Sequence, residues 1–193
     1  MYRIITTRVL TQFVQSAVAE CNRQTDSSQY EKALWLHDWL LDQLEYDNTL
    51  KWSSAESALT RELGTCQSYE SAYAKLLTAA GIENSETRDT YDGHTWNAMK
   101  LDGQWYQTDC TWDDSSDNWY SFDQRHLYFG LTDELMAIAH PGHSKSIPQM
   151  IIKRVQQALP TIILSGQEMP QSGQKLTQTE FRKIWTQERQ SLK

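Results

Sequence analysis

The chain has 193 residues, 39% of them hydrophobic, and a formal net charge of −7. That length holds one domain, or one domain with an appendage, and is enough to bury a sizeable core. An acidic balance without a long basic run argues against nucleic acid as a partner, and no apolar run approaches the length that crosses a membrane.

Eight Trp and nine Tyr are a heavy allotment, suited to a core or cleft built from large rings. Three cysteines (Cys21, Cys66 and Cys110) make no disulfide framework, and no CxxC pair suggests zinc. The first residues, Met1 to Arg8, lack the apolar stretch of a signal peptide, so the expected location is cytoplasmic unless a leader has been removed.

From about Thr6 to Cys21, the apolar residues Val9, Leu10, Phe13, Val14, Ala17 and Val18 recur at helical spacing. Cys21 closes that stripe and is read as a small core side chain. Ser28-Gln-Tyr-Glu31 has the spacing of a capping box and predicts a second helix, running to about Tyr46 and enclosed on nearly every side. His37 and Asp38 lie inside it and are assigned a hydrogen-bonded structural role. Gly64-Thr65-Cys66 opens a third helix, with Tyr69, Ala72, Tyr73, Leu76, Leu77 and Ala80 on one side and Gly81 as its stop.

The period then changes. Glu83 to Thr90 is polar, suiting an edge strand or the lining of a polar cleft. His94 to Leu101 and Gln104 to Cys110 read as two strands around Asp102-Gly103, a two-residue hairpin signal. Ser115 to Asn118 is turn-like, and Leu131 to Ala139 suits a short helix ended by Pro141-Gly142. Beyond it are a strand at Thr161 to Leu164, a loop from Ser165 to Gln174, and a polar helix from about Thr179 anchored by Phe181, Ile184 and Trp185. No internal repeat is visible. Helices followed by an antiparallel sheet make the fold class α+β, with a main domain over residues 1–150 and a C-terminal extension over 151–193.

A cysteine in the first turn of a helix is where unpaired N–H groups and the helix dipole stabilise a thiolate, and Cys66 has that place. With a two-residue loop at Asp102-Gly103, Trp96 faces Asp109 and His94 faces Thr111. His94 and Asp109 become diagonal neighbours on one face, about 7–8 Å apart. A histidine that takes the thiol proton and a carboxylate that fixes the ring are what an activated thiol needs. The Cys66 N–H is the default oxyanion donor, with Trp52 or Tyr46 as candidate side-chain donors. Asp113, Asp114 and Asp117 lack the Asp/Asn and Gly pattern of a calcium loop and are read as a solvated turn. His140-Pro-Gly-His143 offers two histidines without a third ligand. No metal and no cofactor is expected.

Gly64-Thr-Cys-Gln-Ser-Tyr-Glu-Ser-Ala-Tyr-Ala-Lys-Leu-Leu77 resembles the nucleophile segment of bacterial transglutaminase-like proteins, and Gly93 to Asp114 resembles their His-to-Asp segment. Tyr30 to Asp47 and Tyr128 to Met136 are similar to flanking blocks, so the resemblance covers about residues 28 to 140. It implies a papain-like α+β fold, with N-terminal helices packed against the sheet and the nucleophile at a helix start. It implies a Cys66-His94-Asp109 triad and chemistry through a thioester. Ser68 stands where the family usually has Gly. The expected activity is that of a peptidase or amidase acting on a protein or peptide substrate. The alternatives are a protein transamidase or a non-catalytic protein-binding module of the same fold, and the C-terminal extension is a candidate docking segment for a partner.

Overall fold

The computed structural model describes residues 2–89, 93–114, 125–126 and 128–139, with side chains described from residue 8 to residue 137. Asp117, His140, His143, and the strand, loop and helix expected beyond residue 150 lie outside the described residues. The chain divides into two compact units, Met1–Arg88 with Gly93–Gly130, and Asp89–Asp92 with Leu131–Lys193.

The first unit opens with helix α1 (Tyr2–Gln24) and helix α2 (Gln29–Gln43). Cys21 is fully buried on the inner stripe of α1, as its spacing implies. Ser28 caps α2, its side chain accepting from the Glu31 N–H at 3.1 Å. The helix stops before Tyr46, earlier than the apolar pattern suggests, because Leu44 turns to extended backbone (φ −126°, ψ 147°). Glu45–Tyr46 then forms a short strand, β1, parallel to β2 (Leu63–Gly64), with helix α3 (Ala55–Arg61) between them. This small pairing satisfies backbone groups that a continued helix would have consumed: the Glu45 N–H donates to Glu62 O at 2.8 Å and the Asp47 N–H to Gly64 O at 2.9 Å.

Helix α4 (Cys66–Ala79) is the axis of the unit. Tyr69, Ala72, Tyr73, Leu76 and Leu77 are all fully buried, and the helix packs against α1, α2, α3 and the sheet that follows. Tyr73 is both apolar filler and tether, donating its hydroxyl to the Ala33 carbonyl of α2 at 2.9 Å. Gly81 (φ 78°) lets the chain leave the helix in the left-handed conformation.

The sheet has the order β3 (Asn84–Arg88), β4 (Thr95–Leu101), β5 (Gln104–Thr108), all antiparallel. The polar segment is therefore an edge strand. Leu101 pairs with Gln104 across Asp102-Gly103, and both turn residues have positive φ (50° and 85°), the primed turn that suits strand twist. On β4, Thr95, Asn97, Met99 and Leu101 are buried on one face, which α4 covers. The expected strand to Cys110 ends early. Asp109 caps a one-turn helix, α5 (Cys110–Asp113), and this takes the chain out of the sheet. Architecture and topology are α+β, with helices packed on an antiparallel sheet.

In the second unit, helix α6 (Asp133–Ala139) starts after Thr132, whose hydroxyl accepts from the Leu135 N–H at 3.3 Å. Among the described residues, no helix is long and apolar enough to cross a membrane.

Glu70 lies buried between α4 and β4, where its backbone carbonyl and side chain both accept from the Asn97 amide, at 3.0 and 3.3 Å. Burial first, and then the neighbouring Glu86, push its carboxyl up to about 7. A carboxyl whose folded pKa lies above its unfolded one contributes stability below the unfolded value and loses it as pH rises through the folded value. Glu70→Gln is therefore expected to melt close to wild type at pH 5 and about 3 °C higher at pH 8, the shift that about 1 kcal/mol produces in a chain of this size. Thermal melts at the two pH values test this; equal melting of both proteins at pH 8 would remove the burial penalty from the account.

Candidate active site

Cys66 is the first residue of α4, and the turn that carries it is fixed from below. Asp47 accepts four hydrogen bonds: from the Thr49 N–H (2.9 Å) and hydroxyl (2.6 Å), and from the Lys51 (2.8 Å) and Trp52 (3.1 Å) N–H groups. With the Thr49 hydroxyl foremost among them, these donors hold its carboxyl below the usual range. The loop so folded presents the Trp52 carbonyl to the Thr65 N–H at 3.0 Å and to the Ser68 hydroxyl at 2.6 Å. Ser68 Oγ also accepts from the Thr65 N–H at 3.2 Å. Ser68 thus fastens the turn, and Gly64 makes the room. A Cβ on Gly64 would fall 2.6 Å from the Ser68 Cβ.

His94 immediately precedes β4, and Asp109 immediately follows β5. The hairpin brings them together as its register implies, although neither residue belongs to a strand. His94 Nε2 lies 2.6 Å from Asp109 Oδ2. The other carboxylate oxygen, Oδ1, accepts from the Trp112 N–H at 3.1 Å and so caps α5. Asp109 is fully buried, and its own N–H donates to Tyr128 O at 3.1 Å. The imidazole stacks on Trp96 and on Trp112, with centroids at 5.7 and 5.5 Å and ring planes within 30°.

His94 also hydrogen-bonds the Cys66 thiol. With Nε2 engaged by Asp109, Nδ1 is the nitrogen left for the sulfur. Burial pushes the thiol up, but the His94 hydrogen bond and the Thr95 N–H outweigh it, and the net shift is downward. Burial opposes a charged imidazole, yet the Asp109 hydrogen bond and then that of Cys66 raise His94 to about 10. The thiol is lowered and the imidazole raised, both shifts in the direction that favours a thiolate beside an imidazolium.

Of the two side chains considered for oxyanion binding, Tyr46 is half-buried with its phenol pushed up, by burial first and by Cys66 next, so it keeps its proton beside the sulfur. The Trp52 ring lies under the Arg61 guanidinium, 3.9 Å from its carbon, and the backbone of Trp52 serves the turn. Sequence reasoning passed over Thr95, Asp47 and the role of Ser68. Of these, only Asp47 carries a local signal, an Asx-turn pattern in Asp47-Asn-Thr49.

Asp113 corrects the expectation of a solvated acidic turn. It is fully buried and accepts from the Tyr128 N–H at 2.9 Å, with His37 Nε2 at 3.1 Å. Burial raises its carboxyl to about 6. Asp114 is the partner of the Tyr69 hydroxyl. Among the described residues, His37, Asp38 and His126 hold ligand atoms within 4.8 Å of one another, a spacing a metal could use. His37 Nδ1 lies 3.0 Å and His126 Nε2 2.6 Å from Asp38 Oδ1, so the three groups already satisfy one another by hydrogen bonding.

The other two cysteines are electrostatic opposites of Cys66. Burial raises the Cys21 thiol and raises that of Cys110 far more. Iodoacetamide at pH 6–7 is expected to label Cys66 while Cys21 and Cys110 stay unmodified in the folded protein, with His94→Ala slowing the reaction. Peptide mapping by mass spectrometry reads this, and equal labelling of the three thiols would contradict the charge assignment.

Residues 16–110 match the family described as Transglutaminase-like superfamily, and Cys66, His94 and Asp109 all fall within that span. Kyphoscoliosis peptidase of Mus musculus is 23% identical over an alignment of 122 residues, with 51% of this chain and 18% of that protein covered. Among solved structures, a TGase is similar over 56% of this chain and 32% of its own, at 14% identity and a TM-score of 0.45. A candidate cysteine protease from Cytophaga hutchinsonii is similar over 53% of this chain and 37% of its own, at 22% identity and a TM-score of 0.44. The matched region is less than a fifth of the length of the mouse protein. Through residues 16–110, the chain belongs to the transglutaminase-like superfamily.

Proposed function

We propose that this chain is a thiol-dependent acyl-transfer enzyme that cleaves amide or peptide bonds through a thioester on Cys66. The observation that carries the reading is the unbroken series from Asp109 Oδ2 through the His94 ring to a lowered thiol at a helix start. In this reading the Cys66 thiolate attacks the carbonyl carbon, and the C–S bond forms as the carbonyl π electrons move to oxygen. The Cys66 N–H and the Tyr46 hydroxyl receive that oxyanion. The tetrahedral intermediate collapses, the C–N bond breaks, and His94 Nδ1 gives its proton to the departing amine. Neutral His94 then takes a proton from water, the resulting hydroxide adds to the thioester, and the C–S bond breaks to restore the thiolate and release the acid. Asp109 stays ionised throughout and holds the ring.

Hydrolysis is favoured over transfer to an amine because the approach is polar. The edge strand β3 ends at Arg88, which pairs with Thr95, whose N–H faces the Cys66 sulfur. The Glu86–Arg88 ion pair (3.0 Å) on that strand is exposed. An amine acceptor needs a site that holds it and excludes water, and a charged, open edge supports the opposite.

Asp109→Asn is expected to fold and to lose about a hundredfold or more in turnover. Aspartate has an oxygen for each of its two partners, and asparagine has only one. If that oxygen keeps the cap on α5, an amide N–H faces Nε2 and favours the tautomer whose proton is on the thiol side. Unchanged kinetics on any amide substrate found with a panel of thiol-reactive amide and peptide probes would remove Asp109 from the mechanism. With such an acyl donor, hydrolysed product is expected to dominate even with a millimolar primary amine present. Incorporation of most acyl groups into the amine, read by mass spectrometry, would make the protein a transamidase.

A further inference from the structure

We propose that His37 is a positioning residue for this site, acting through Asp113 to set the one-turn helix that carries Asp109 and Trp112 against His94. The inference rests on the triad reading above and names a residue outside it.

A four-residue helix cannot hold its own geometry, because one turn fixes several dihedrals for a single hydrogen bond. Yet α5 determines two of the contacts of His94: the Asp109 carboxylate at its N-cap and the Trp112 ring on its first turn. Its pose is set at its far end by Asp113. The Asp113 N–H donates to the Asp109 carbonyl at 3.1 Å, and its carboxylate accepts from the Tyr128 N–H at 2.9 Å. Tyr128 in turn accepts from the Asp109 N–H through its carbonyl, at 3.1 Å, and its ring meets Trp112 edge to face at 5.2 Å. Both ends of α5 are therefore pinned to the same residue.

That clamp needs Asp113 in a fully buried place, and a buried carboxylate without a partner is costly. His37 supplies the partner from α2, 76 residues away in sequence, with Nε2 at 3.1 Å. The imidazole has no freedom to turn. It is fully buried, its Nδ1 faces Asp38 Oδ1 at 3.0 Å, and Asp38 is gripped in turn by His126 Nε2 at 2.6 Å. The ring also packs edge to face on Phe129 at 5.2 Å, next to Tyr128. The series from α2 thus ends on the turn that carries the carboxylate partnering His94.

The test compares His37→Gln with His37→Asn. The glutamine amide extends to where Nε2 stood and can still donate to Asp113, whereas the shorter asparagine amide stops near the Nδ1 position. The readout is the rate of Cys66 alkylation by iodoacetamide at pH 6, a measure of the thiolate population. His37→Asn is expected to slow it about tenfold, within the range of coupling between contacting residues, and His37→Gln about twofold or less. Combined with Asp109→Asn, His37→Asn should add no further loss, because its effect runs through Asp109. Asp113→Ala cuts the link from the other end and is expected to behave as His37→Asn does, so either variant suffices if the other does not fold. Equal rates for the two His37 variants, or losses that multiply fully with Asp109→Asn, would overturn the relay while leaving the triad intact. A wild-type rate indifferent to Asp109→Asn would overturn both.

Discussion

The two oxygens of the Asp109 carboxylate do different work, and the site depends on that division. One caps α5 through the Trp112 N–H and the other holds His94 at 2.6 Å. Capping turns the chain out of the sheet at the point where a continued strand would have carried residue 109 along with it. The same turn swings the Trp112 ring onto the imidazole. Because the carboxylate is fully buried, its charge is little screened, and it favours the imidazolium that in turn favours the thiolate. Local backbone geometry and the electrostatics of the thiol are two results of one side chain's placement.

Around that point several buried polar groups come in sets that satisfy one another. Asp47 takes four donors, Ser68 donates once and accepts once, and Asp113 is matched by His37 and the Tyr128 N–H. Each set stabilises a loop or a single turn that has too few apolar contacts to be rigid alone. The apolar core contributes the fixed frame. Helix α4, lined with Tyr69, Tyr73, Leu76 and Leu77, holds Cys66 in place, and β4 lies across it. Rigid apolar elements thus carry the reacting groups, and polar clusters set their angles.

How much of this was legible in the sequence follows from the range of each interaction. The Ser28 cap, the Cys66 helix and the hairpin register at Leu101 and Gln104 are local and were readable from spacing. The closeness of His94 and Asp109 followed from that register, although the pairing ends one residue short of Asp109, since a cap and a strand compete for the same residue. The early end of α2 was hidden because β1 pairs with a segment beyond α3, and such a partner leaves no periodicity behind. Asp113 was misread for a related reason. In sequence it belongs to an acidic, turn-like stretch, and only the arrival of His37 from α2 makes its burial tolerable. The role of Ser68 leaves no mark in the sequence because the Trp52 carbonyl that its hydroxyl meets is 16 residues away.

The hairpin at Asp102-Gly103 also bears on the order in which the site assembles. His94 and Asp109 are fifteen residues apart in sequence and are joined by a two-residue turn with both φ angles positive. Structures of that kind close in about 1–10 μs, far ahead of contacts that must wait for distant chain to be gathered in. The tip is tied to a distant element, its Asp102 N–H donating to Gln29 Oε1 at 2.8 Å at the start of α2, 73 residues away. Closing the hairpin brings His94 and Asp109 near each other, but Cys66 meets His94 and the Thr95 N–H only where α4 packs on β4. The partners that lower the thiol lie on a different element from the thiol itself, so an activated cysteine is a property of the assembled fold and not of the segment that carries it.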